Sequence, residues 1–99
     1  MASLSTHVLD TSAGRPAAGV KLRLERDGKP LAEAATDADG RAKLGSVDKG
    51  VYTLVFETGS YFPKGFYPSV RVEFTVVDDK HHHVPLLLSP FGYSTYRGS

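Results

Sequence analysis

The chain has 99 residues, 40% hydrophobic and 23% charged, which is enough for one domain and unlike a disordered, fibrous or low-complexity sequence. Twelve Lys and Arg against eleven Asp and Glu leave a net charge of +1, without the basic excess that draws a protein to nucleic acid or to an anionic membrane. The absence of cysteine removes disulfides, thiolate metal sites and cysteine nucleophiles together.

In chain order, the first strand is expected over residues 4–10, where Val8 and Leu9 point to opposite faces and His7 shares the side of Leu9. Over 20–26, Val20, Leu22 and Leu24 alternate with Lys21, Arg23 and Glu25, the two-residue repeat of a half-buried strand. Asp27-Gly28 turns the chain into a strand over 30–36, and Asp39-Gly40 into one over 41–46. Lys49-Gly50 leads into 50–57, rich in β-branched and aromatic residues. The stretch TGSYFPKGFYP, 58–68, is the one long connection; residues 58–62 read as a single helical turn before Pro63, and the aromatics are expected to cover a sheet edge. Val70, Val72, Phe74 and Val76 alternate with Arg71, Glu73 and Thr75 in a strand over 69–77. Two more follow over 81–89 and 92–97, separated by Ser89-Pro90-Phe91-Gly92. Eight short strands and no sustained helical spacing predict an all-β antiparallel sandwich, one domain over 1–99. The longest apolar run, Val84 to Leu88, is five residues against the roughly 20 that a membrane-spanning helix requires. The opening MASLSTHVLD lacks the basic start and long apolar stretch of an export signal, so the expected location is cytoplasmic.

In the strand over 81–89, Val84, Leu86 and Leu88 share one face, while His83, Pro85 and Leu87 share the other. A sandwich buries one face of each sheet, so an apolar outer face needs a cover, and the expected cover is another copy of the chain. No GxSxG elbow, phosphate-cradling loop or HExxH string is present. What remains is His7, the run His81-His82-His83, Arg41 after its turn, and the polar ending YSTYRGS. A histidine on a strand is by composition a solvated polar residue, but His7 lies on the face expected to meet a neighbour, where an imidazole suits proton transfer. His81 and His83 share a face and could pinch a metal, yet no third ligand has matching spacing; no metal is expected, and His81 reads as an exposed turn residue.

The strings STHVLD (5–10), DADGR (37–41), FYP (66–68) and HVPLLLSPFGYSTYRGS (83–99) closely resemble the 5-hydroxyisourate hydrolase family, the transthyretin-related enzymes of urate breakdown. The resemblance implies a transthyretin-like sandwich of eight strands in two four-stranded sheets, assembled as a homotetramer whose central channel holds the active sites. It implies hydrolysis of 5-hydroxyisourate to 2-oxo-4-hydroxy-4-carboxy-5-ureidoimidazoline, on the way to S-allantoin, with no cofactor. Carried over by motif, the site residues are His7, Arg41, His83 and the ending Tyr96, Arg97, Gly98 and Ser99. The expected roles are proton transfer for His7 and His83, fixing of substrate and developing charge for Arg41, ring contacts for Tyr96 and Arg97, and orientation of a histidine or water for Ser99. The chain departs from the family pattern at Ala42 and His82, where Cys and Tyr are usual, and its loops around 26–31, 44–50 and 62–66 look trimmed. Two competing readings are a non-catalytic carrier of the transthyretin kind and a carboxypeptidase-regulatory-like module. The module accounts for residues 14–56 and leaves the ending from His83 unexplained.

Overall fold

The computed structural model describes residues 1–98, which form two sheets stacked face to face. Their strands are β1 (Ala2–Asp10), β2 (Arg15–Pro16), β3 (Lys21–Arg26), β4 (Lys29–Ala35), β5 (Arg41–Val47), β6 (Gly50–Phe56), β7 (Val70–Val76), β8 (His82–Ser89) and β9 (Gly92–Thr95), with one helical turn, α1 (Thr58–Tyr61), before β7. Sheet one has the order β2-β1-β8-β9, with β5 also paired to β1; sheet two has the order β4-β3-β6-β7. Among the described residues no helix is long and apolar enough to cross a membrane.

The transthyretin-like sandwich expected from the sequence is the fold observed, with two differences in detail. The pair β1 and β8 runs parallel, Leu4 opposite His82 through Asp10 opposite Leu88, so sheet one is mixed instead of wholly antiparallel. A parallel partner requires a crossover, and here the chain leaves β1, forms β2 and later β5 on one side of it, completes sheet two with β6 and β7, and only then lays β8 along the other side. The second difference is β2, a two-residue strand on the free edge of β1 that brings sheet one to five strands.

Alternation explains which face each residue takes. Along β1, Leu4, Thr6, Val8 and Asp10 are buried between the sheets while Ser5, His7 and Leu9 are half-buried on the outside. The core joins Val8, Leu86 and Leu88 of sheet one to Leu24, Leu54, Phe56 and Val70 of sheet two. Each such side chain contributes about 1.5–3 kcal/mol on leaving water. Buried polar groups are paired: the Thr6 hydroxyl donates to the Val84 carbonyl at 2.6 Å, and the Thr36 hydroxyl donates to that of Ala17 at 2.6 Å. His82 turns inward, as the alternation predicts, with Nδ1 2.8 Å from the Lys80 carbonyl and Nε2 accepting from the Val77 amide at 3.3 Å.

The aromatics after α1 behave largely as expected. Tyr61, Phe62 and Tyr67 pack on the core, and Tyr67 meets Tyr93 of the edge strand β9 edge-on at 5.1 Å, while Phe66 stays exposed. The Tyr61 hydroxyl donates to Asp10 Oδ2 at 2.8 Å, tying the helical turn to the end of β1. Burial works against the Asp10 carboxylate, but hydrogen bonds from Ser12, Tyr61 and the Ala13 amide outweigh it and hold its pKa below the usual value.

Candidate functional site

The outer face of sheet one is a grid of rows set by strand register. In one row Ser5 lies between Lys43 on β5 and His83 on β8; in the next, His7 lies between Arg41 on β5 and Pro85 on β8. A third row pairs Leu9 with Leu87 and with Pro16. Along β5, alternation puts Ala42 and Leu44 in the core and Arg41 and Lys43 outside; the β1–β5 register then shifts between Leu4 and Ser5, opposite Gly45 at φ 85°, and this bulge brings Val47 inward opposite Ala2.

Arg41 owes its place to the turn before it. Asp37 Oδ1 accepts from the amides of Asp39 at 2.9 Å and Arg41 at 3.0 Å, wrapping the turn around one carboxylate. Gly40 adopts φ 75°, and a Cβ there would stand 2.4 Å from the Val8 carbonyl, so no other residue fits. The Gly40 carbonyl accepts from the Val8 amide at 2.7 Å, which pins the start of β5 beside His7. The Arg41 amide, and behind it the Arg41 and His7 charges, hold the Asp37 pKa below its ordinary value.

A cleft of about 420 Å³ opens on this face, lined by Ser3, Ser5, Arg41, Lys43, His81 and His83 among others, with two permanent cations and no carboxylate. Such a lining favours an anionic or oxygen-rich ligand. His83 is half-buried, and burial together with the nearby Arg41, His7 and His81 charges pushes its pKa below 6.5, so the imidazole is neutral at physiological pH. Its Nδ1 lies 2.7 Å from the Ser5 hydroxyl, leaving Nε2 as the nitrogen able to exchange a proton with a ligand or water.

The described part of the tail closes over the same histidine. The Gly98 amide donates to the His83 carbonyl at 2.9 Å, and a Cβ on Gly98 would lie 2.5 Å from His83 Cδ2. Only glycine lets the backbone press this close to the ring. On the other side of His83 a second cleft of about 190 Å³ is lined by Glu73, Phe74, Tyr96 and Arg97.

Of the residues expected from the sequence, Arg41 and His83 line the main cleft together. His7 stands one row away beside Arg41, and Tyr96 and Arg97 line the second cleft, with His83 common to both. Ser99 lies outside the described residues. Sequence reasoning missed Ser3, Ser5 and Lys43, although counting back by twos from His7 and onward from Arg41 places all three on the same face. It also set His81 aside as a turn residue, whereas His81 bonds to both Ser3 and Ser5 and stacks on His83 with ring centroids 6.5 Å apart. Among the described residues no three His, Cys, Asp or Glu side chains converge as a metal site requires.

Comparison with known proteins gives the family and the fold. Residues 4–98 match the HIUase/Transthyretin family. A 5-hydroxyisourate hydrolase of Caulobacter vibrioides is 47% identical over an alignment that covers all of both chains. The solved structure of Klebsiella pneumoniae 5-hydroxyisourate hydrolase superposes with a TM-score of 0.92 at 42% identity, covering all of both chains. Sea bream transthyretin, solved with thyroxine, superposes with a TM-score of 0.87 at 31% identity, covering 96% of this chain and 93% of that one.

Proposed function

Because the chain belongs to the HIUase/Transthyretin family, we propose from its cleft that it is a hydrolase of 5-hydroxyisourate, opening the six-membered ring to 2-oxo-4-hydroxy-4-carboxy-5-ureidoimidazoline. The observation that carries this reading is the pairing of a neutral, half-buried His83 with the cation Arg41 in one cleft.

Hydrolysis of a cyclic amide needs a base for water, positive charge for the oxyanion, and a proton for the leaving nitrogen. His83 Nε2 takes the proton from water, and its depressed pKa keeps it available as a base. Arg41, cationic at any working pH and anchored by the Asp37 turn, binds the urate-like oxygens and the charge that develops on the attacked carbonyl. His7, in the adjacent row, shares the proton transfers. Tyr96 and Arg97 contact the ring from the tail side, and Ser99 orients a histidine or water in the same reading.

The assembly belongs to this proposal as well. Leu9 and Leu87 are half-buried on the outer face beside the cleft, and Tyr96, which lines the second cleft, is 56% exposed. A homotetramer that stacks these faces across a central channel covers the apolar rows and shelters the cleft from bulk water, which strengthens every charge interaction inside it. The same reading has the protein working in the cytoplasm.

The test follows the decay of freshly generated 5-hydroxyisourate by absorbance, with wild type and with His7→Asn, Arg41→Ala and His83→Asn. The expected result is acceleration by wild type over spontaneous opening, and a loss of about 10²- to 10⁴-fold in kcat for His83→Asn. No acceleration by wild type, or undiminished turnover in all three variants, overturns it; the first of these is what a thyroxine-type carrier would give.

A further inference from the structure

Beyond the expected residues, the outer face of sheet one holds a single file of imidazoles and hydroxyls leading from the cleft to solvent. The Ser5 hydroxyl stands 2.7 Å from His83 Nδ1 and 2.7 Å from His81 Nε2, so one oxygen bridges two rings. The other ring nitrogen of His81, Nδ1, bonds to the hydroxyl of Ser3, which is exposed. The order along the file is therefore His83, Ser5, His81, Ser3, water.

Each hydroxyl carries one proton and each neutral imidazole one N–H, so the file has two complete polarities. In the first, His83 Nδ1–H donates to Ser5, Ser5 O–H to His81 Nε2, and His81 Nδ1–H to Ser3; His83 Nε2 is then a bare lone pair. In the second every bond is reversed, Ser3 donating to His81, His81 to Ser5 and Ser5 to His83 Nδ1, and His83 Nε2 carries the proton. Neither polarity places a charge on any ring.

Resting on the hydrolase reading, we propose that Ser5, His81 and Ser3 form a proton wire that converts His83 from base to acid between the two halves of ring opening. Ser5 and His81 act through His83 as positioning residues. In the first half an O–H bond of water breaks, its proton joins His83 Nε2, and the hydroxide adds to the ring carbonyl carbon. The Nδ1 proton moves to Ser5, the Ser5 proton to His81 Nε2, the His81 Nδ1 proton to Ser3, and a Ser3 proton to bulk water. In the second half the carbon–nitrogen bond breaks with its electron pair going to nitrogen, Nε2 gives that nitrogen its proton, and the wire refills from water in the opposite direction. A wire is needed because the groups facing His83 disfavour an imidazolium: His7 on the adjacent β1, Arg41 on β5 beyond it and His81 just before β8 all raise the cost of charging a half-buried ring.

The test combines kinetics with nitrogen NMR of the histidine rings in the full chain. Ser5→Ala and His81→Phe are expected to lower kcat by about 10- to 100-fold, within the span of a lost proton-transfer aid, while leaving KM within about twofold. Ser5→Thr keeps the hydroxyl and recovers kcat to within about threefold of wild type. In wild type the two His83 nitrogens exchange between polarities and show averaged shifts; in Ser5→Ala they separate into one fixed tautomer. Retention of kcat within about twofold in Ser5→Ala, or His83 nitrogen shifts equal to those of wild type in a folded Ser5→Ala, overturns the wire. If wild type itself fails to accelerate opening, the hydrolase reading falls, and the nitrogen shifts still decide the wire.

Discussion

The two sheets of the sandwich solve the problem of an outer face in opposite ways. On sheet two, Val55 has Arg23 and Arg71 as its cross-strand neighbours, and both guanidiniums reach Glu25: Arg71 Nη2 donates at 2.8 Å and Arg23 through Nε. Arg23 also donates to Glu57 at 2.6 Å, and Val55 beneath this network is 1% exposed. The arginine stems cover the apolar residue and the charges satisfy one another, so the centre of this face is covered within one chain, with Val51 at the end of β6 left exposed. Sheet one carries Leu9 and Leu87 in a row beside His7 and Arg41, with no comparable lattice of ion pairs among the described residues. A covered face is scaffold; an uncovered one, bearing imidazoles and cations beside leucines, is where a ligand and a second subunit are expected.

Changes that separate chemistry from scaffold sharpen this contrast. Gly98→Ala should have the largest effect on sheet one, because its methyl would stand 2.5 Å from His83 Cδ2 and must displace the ring. The expected outcome is a drop in kcat of about 10- to 100-fold, the cost of misplacing a reacting group by around an ångström, with little change in melting temperature. Glu25→Gln should do the reverse. It removes the carboxylate both arginines share, lowering the melting temperature while kcat for ring opening stays unchanged, and high salt should narrow the difference from wild type.

The smallest effect is in pH. Because His83 binds its proton less tightly in the folded chain than in the unfolded one, the unfolded state holds more protons between the folded pKa and 6.5. Stability from this group is complete above 6.5 and declines as the pH falls through that window. The acid limb of kcat/KM should likewise have its midpoint below 6.5, and removing the Arg41 charge should move that midpoint upward. A titration of kcat/KM in both proteins reads this directly.

Much of the scaffold was legible because a pleated strand writes its two faces into alternate residues. Val20, Leu22 and Leu24 mark β3, and Asp27-Gly28, both at positive φ, mark its hairpin. The helical turn before Pro63 and the inward direction of His82 were also readable locally. The parallel pairing of β1 with β8 was not, since nothing within either strand specifies a partner more than 70 residues away. The same reason hid the file through Ser5 and His81: those residues lie 76 positions apart, and only the register of β1 against β8 brings the hydroxyl between the two rings. Alternation along β3 places Glu25 opposite the apolar face and says no more, and only pairing across three strands makes it the centre of a network. Arg41 and His83 came from motif resemblance, while their arrangement in one cleft comes from the fold.

The central claim is that the outer face of sheet one works only when a neighbouring copy covers it. Leu87→Arg tests this most directly, with mass by light scattering and turnover of 5-hydroxyisourate measured on the same sample. The account predicts a wild-type particle of four times the 10.7 kDa protomer, and a folded variant that dissociates and loses turnover in proportion. A dissociated, fully active variant, or a wild type that turns over fully as a lone protomer, would contradict it.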